Sequence, residues 1–131
     1  MAITQDAERQ YALTVDIPFT YADFTSGTAA AALDVPENAF VVGGYFVIDT
    51  AFNSATSDTI TVGDGVSANR YASGVNGQTA AATALTLTGY KYTADDTIDI
   101  TWTGAGTAPT AGAGRLVVQY AIDGRANERQ E

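Results

Sequence analysis

Asp95 and Asp96 are adjacent carboxylates, and paired carboxylates are the raw material of acid–base chemistry. In an extended chain, neighbours point to opposite faces, so these two do not form a dyad. They lie in the turn signal Ala94-Asp95-Asp96 and read as a solvated turn leading into a strand. Asp58, Asp64 and Asp95 offer oxygens that could collect around calcium, but the spaced Asp-x-Asp-x-Asp-Gly loop of a dedicated calcium site is absent. Gly104-Ala105-Gly106 and Gly112-Ala113-Gly114 have the composition of phosphate-binding loops. Such a loop must leave a strand and open a helix; this segment joins two apolar alternating runs and contains Pro109, so it reads as a β–β loop. A serine nucleophile needs a base, and the sequence contains no histidine. Lys91, between Tyr90 and Tyr92, reads instead as an edge charge or a partner for a ring. Tyr71, Tyr90 and Tyr92 could form a sugar-stacking platform, but tyrosines serve equally in a β core. Trp102, on the same face as Ile98 and Ile100, reads as core. No catalytic residue, cofactor or metal site is expected.

Composition narrows the partners. Fifteen acidic and six basic residues give a net charge of −9, with no cysteine for disulfides or thiolate metal sites. Phosphate backbones are bound by clustered Lys and Arg. Here Lys91 is the lone lysine and the arginines are dispersed, apart from Arg125 and Arg129. No nucleic-acid partner is expected. No run approaches the roughly 18 apolar residues of a spanning helix, and the first ten residues carry Asp6, Glu8 and Arg9 rather than an apolar leader. Synthesis in a cytosol without Sec-type export is the expectation, with no membrane partner.

The elements follow from period-2 alternation, the mark of a half-buried strand. It occurs in Tyr11-Leu13-Val15-Ile17, Ile60-Val62, Leu85-Leu87, Ile98-Ile100-Trp102 and Leu116-Val118-Tyr120-Ile122. Ala30–Val35 and Asn69–Ser73 are weaker candidates, and the alanine-rich pieces 29–32 and 80–84 could each form a turn of helix. The run from Phe40 to Ile48 is apolar on both faces: Phe40, Val42, Phe46 and Ile48 on one, Val41, Tyr45 and Val47 on the other. Gly43-Gly44 in its middle signals a bulge. Such a strand needs cover on both sides. Gly, Asn, Asp and Pro clusters separate the runs. The expected fold is all-β: a single-domain antiparallel sandwich, jelly-roll-like, of about seven or eight strands. It would span residues 9–123, between an N-terminal arm (1–8) and a polar tail (124–131).

The stretch from Val41 through Gly43-Gly44, Ala51-Phe52-Asn53-Ser54 and Thr59-Ile60-Thr61-Val62-Gly63-Asp64 resembles small structural proteins of tailed bacteriophages. Asn69-Arg70-Tyr71 and the strand from Gly112 to Tyr120 fit the same pattern. The resemblance covers about residues 30 to 122, and it is to the capsid decoration, or cement, proteins. It implies a non-enzymatic sandwich that binds the outside of an expanded shell, as a homotrimer bridging major capsid subunits. Under this reading Phe19, Tyr21, Phe24, Val41, Tyr45, Val47, Arg125 and Arg129 are the candidate interface residues. Two other readings stand beside it: a receptor- or carbohydrate-binding module of a head or tail fibre, and a tail-tube or tail-terminator component.

Overall fold

The computed structural model describes residues 11–124. The expected arm (1–8), the tail beyond Gly124, Arg125 and Arg129 all lie outside the described residues. Eight strands follow in order: β1 Leu13–Thr20, β2 Ala29–Val35, β3 Ala39–Thr50, β4 Ser57–Asp64, β5 Ala72–Asn76, β6 Ala82–Ala84, β7 Asp96–Ala105 and β8 Ala113–Ile122. They form two four-stranded sheets, β1-β8-β3-β6 and β2-β7-β4-β5, and every pairing is antiparallel. Consecutive strands β1 through β4 alternate between sheets in pairs that wind around one another, and the first strand lies beside the last. This is the jelly-roll order of two interleaved Greek keys.

The alternating runs make the core for the reason the sequence suggests: period 2 sends every second side chain to one face. Phe46, Leu116 and Val118 of the first sheet meet Ile60, Val62, Ile98 and Ile100 of the second, all buried. A chain of rings crosses between the sheets. Phe19 stacks on Phe46 at 5.3 Å and meets Phe24 edge-on at 5.3 Å; Phe52 continues the line to Trp102 at 6.3 Å. Trp102 is core, as its alternation implies.

Strand β3 departs from simple alternation. Its register with β8 slips between Val41 and Gly43. The slip places an extra residue at Val42, and the faces change over there. Val41, Phe46 and Ile48 are buried, whereas Val42 and Tyr45 are exposed. The expected assignment of Val42 to the Phe46 face, and of Val41 to the Tyr45 face, is therefore corrected by the bulge that the glycine pair itself announced. Gly44 adopts φ 141°, and a Cβ there would lie 2.2 Å from the Val117 carbonyl oxygen.

Other differences are local. Tyr11 precedes β1 and is 83 % exposed, so it does not belong to the buried face. Residues 29–32 and 82–84 are extended, not helical; a single 3₁₀ turn falls at Tyr21–Asp23 instead. Strand β6 ends at Ala84, so Leu85 is buried but Leu87 stands exposed beyond it.

Replacing Gly44 by Ala is expected to cost about 2–4 kcal/mol, because it combines a disfavoured φ with a backbone clash. Gly74→Ala, at φ 66° with nothing within 4 Å of the added carbon, is expected to cost only about 1–2 kcal/mol. Urea unfolding of the two variants against the parent measures the difference.

Candidate functional site

Strand β4 carries Asp58, Ile60, Val62 and Asp64 on its inner face, and all four are buried. The two carboxylates stand at opposite ends of the sandwich. Each gathers the loops of its own end.

Asp58 is 1 % exposed. Its Oδ1 accepts from Ser54 Oγ at 2.6 Å and from Trp102 Nε1 at 2.8 Å. Its Oδ2 accepts from the Ser54 backbone N–H and from Gln78 Nε2, both at 3.0 Å. Ser54 belongs to the β3–β4 loop, Gln78 to the β5–β6 loop and Trp102 to β7, so one carboxylate ties three parts of the fold. Asn53 extends the tie to the β7–β8 loop: its Oδ1 accepts from the Thr110 and Ala111 N–H groups at 2.8 and 3.1 Å. Burial alone would push the Asp58 carboxyl up; the hydrogen bonds from Ser54, Gln78 and Trp102 outweigh it and hold the group below the ordinary carboxylate value.

Asp64 sits at the other end. Its Oδ1 accepts from the Val66 and Ser67 N–H groups at 3.0 and 2.8 Å. Its Oδ2 accepts from Arg70 Nε at 2.5 Å and Tyr92 Oη at 2.9 Å. Because the Tyr92 hydroxyl donates to Asp64, the Tyr71 hydroxyl, 2.8 Å away, donates to Tyr92. Arg70 also lies 3.6 Å above the centroid of the Tyr90 ring. Burial would raise the Asp64 carboxyl, but the hydrogen bonds led by Arg70 hold it low. Burial pushes the Tyr71 and Tyr92 phenols up, so both remain protonated donors.

Chemically, the acceptor sites of these carboxylates are filled. Neither has an oxygen free to take a substrate proton or a metal. Among the described residues, no group of three or more acidic, histidine or cysteine side chains is arranged to hold a metal ion. Asp95, the third member of the calcium candidate, instead accepts from the Glu37 N–H at 2.9 Å. Asp96 accepts from the Gly65 N–H. The tyrosine platform does not form: Tyr71 and Tyr92 are buried. Lys91 reaches Asp123 at 2.8 Å across the surface, where such a pair contributes little.

Ser54 and Gln78 escaped the sequence reading. Their signal is the parity of β4: an Asp at each end of an apolar pair, all on one face, means two buried carboxylates that require donors from elsewhere.

The interface candidates separate. Phe19 and Val41 are buried in the core, at 6 % exposure each, and Phe24 is half-buried against it. Tyr21 is exposed on its 3₁₀ turn, and Tyr45 is 54 % exposed. Val47 is half-buried. Tyr45 and Val47 point outward from the first sheet, with Val117 beside Tyr45 on β8 and Ala84 and Ala82 beside them on β6. Arg115 on β8 lies between Val47 and Pro18 of β1 and bounds this apolar patch. The outer face of the second sheet is different. Thr59 pairs with Thr103, and Thr61 with Thr101, across β4 and β7.

The class is set by this geometry: an eight-stranded jelly-roll sandwich whose first sheet exposes an apolar patch at Tyr45, Val47 and Val117 and whose second sheet faces outward with cross-strand threonines. No family model matches the chain, and no curated protein matches it. Among solved structures, a chain of the cyanophage Pam1 capsid asymmetric unit superposes with a TM-score of 0.67 at 21 % identity, over 93 % of this chain and 99 % of that one. The two share the fold over nearly their whole lengths.

Both buried carboxylates release protons more readily in the folded state than in the unfolded chain. Their contribution to stability is therefore complete above about pH 4–5 and is lost as pH falls through the depressed folded values. Asp58→Asn and Asp64→Asn are each expected to destabilise the fold by about 2–4 kcal/mol at neutral pH, by facing an amide against donors. Each is also expected to flatten the acid limb of stability against pH, as read by denaturant midpoints from pH 7 to pH 3. Tyr71→Phe should cost only about 1 kcal/mol.

Proposed function

We propose that this chain is a non-enzymatic structural protein of a virion, built to bind rather than to turn over a substrate. The observation that carries the reading is the end-to-end likeness to a chain of the cyanophage Pam1 capsid asymmetric unit, 93 % of one against 99 % of the other. A domain matched over its full length by a capsid component, with its buried acids committed to holding loops together, fits a building block. The resemblance of residues 30–122 to cement proteins carries the reading to a finer role. In it the chain decorates the outer surface of a phage capsid as a homotrimer, bridging major capsid subunits against internal pressure. Multivalent attachment of a trimer would raise avidity without new contacts per subunit. Tyr21, Phe24, Tyr45 and Val47 are the interface candidates that retain exposure.

A sugar-binding role has less support, because two of its three candidate tyrosines lie inside.

Purified protein is expected to run in light scattering at three times its 13.6 kDa chain mass, and to co-sediment with phage heads from which it has been deleted. Deleted heads are expected to release DNA at a lower temperature than heads refilled with the protein. A protein found only in tails, or absent from purified particles, would overturn the capsid role.

A further inference from the structure

The two outer faces of the sandwich are unequally suited to contact. On the second sheet the outer positions of β4 and β7 include Thr59, Thr61, Thr101 and Thr103 together with Asp99, with Asn76 beside them on β5 and Ala29 and Ala31 on β2. Such a face is already at home in water. On the first sheet, Tyr45, Val47 and Val117 form a continuous apolar centre, widened by Ala82 and Ala84, while Arg115 stands between Val47 and Pro18. An exposed aromatic flanked by aliphatic side chains and small residues is the composition of an interface centre, not of a wetted sheet face.

The charges around this centre indicate what covers it. Asp16 pairs in register with Val117 on one side. Asp49 lies at the end of β3, 3.5 Å from Arg115, and both of those side chains are about half exposed. The rim thus carries two carboxylates against one guanidinium, on a chain whose total charge is −9. A second copy brings the same carboxylates and the same net charge, so two such faces apposed would repel. A protein surface with an apolar centre and a Lys/Arg rim is complementary in both respects, and the long-range field would speed its approach.

We infer that the outer face of sheet β1-β8-β3-β6 is the docking face for a different protein, one presenting an apolar patch ringed by basic side chains. This rests on the virion reading, in which that partner is the shell. The small residues Ala82, Ala84 and Gly43 leave Tyr45 standing clear as the group that enters the partner's surface.

The test uses full-length protein and phage heads lacking it, with bound protein measured after sedimentation. Tyr45→Ser and Val47→Asp are expected to weaken binding at least about tenfold, and Asp16→Lys with Asp49→Lys to weaken it further at low salt than at high salt. Tyr45→Phe and Thr103→Asp, on the opposite sheet, are expected to bind as the parent does. Circular dichroism melts exclude misfolding, and Tyr45→Ser, at an exposed position, keeps the test decisive if Val47→Asp does not fold. Full binding by both first-sheet variants would overturn the face. If instead Tyr45→Ser converts an oligomer to monomers in light scattering, a second copy covers the face and the heterologous partner is wrong. Failure of the parent protein itself to bind heads overturns the virion reading, and this inference with it.

Discussion

Placing an ionised carboxylate in a protein interior costs several kcal/mol unless its oxygens are met by donors. Strand β4 places two there, one at each end of Ile60 and Val62. The remainder of the sandwich is arranged to answer them. Asp58 recruits Ser54, Gln78 and Trp102, and so fixes the β3–β4 and β5–β6 loops against β7. Asp64 recruits Arg70 and Tyr92, and through Tyr92 it orders Tyr71. Sheet pairing alone leaves loops free to choose among conformations. A buried charge with one satisfactory set of partners removes that choice, because any alternative leaves donors and acceptors unmet. The same arrangement explains why these acids, attractive in sequence as metal ligands, have no capacity left for chemistry.

Much of the architecture was legible because it depends on local rules. Alternation in 98–102 and 116–122 identified β7 and β8, and the glycine pair marked the bulge in β3. Other features depend on long-range geometry. Val41 and Val42 could be assigned to faces only once the bulge was placed, since a one-residue slip inverts everything beyond it. Ala29–Ala32 has a helix former's composition, yet pairing with β7 outweighs that weak preference. Tyr71 and Tyr92 look like surface tyrosines until the carboxylate they serve is located. Phe19, open on sequence alone to an interface or a core role, is stacked on Phe46 because β1 and β3 both flank β8.

The two outer faces of the sandwich differ in chemistry. Cross-strand threonines make one sheet stable in water without a partner. The other sheet carries Tyr45 and Val47 outward on β3, a strand that is apolar on both sides, with Val117 beside them on β8. The core explains only the inward half of that strand.

Strand β8 is the centrepiece of that second face, pairing with β1 on one side and β3 on the other. Leu13 meets Tyr120, and Ala39 meets Ile122. A growing polypeptide therefore holds β1 and β3 with nothing to join them until β8 has been made. Contacts so distant in sequence form late and slowly. The outer face of sheet β1-β8-β3-β6 cannot exist on a chain that stops short of β8. Completion of β8 thus becomes a built-in checkpoint: an unfinished chain cannot assemble that sheet.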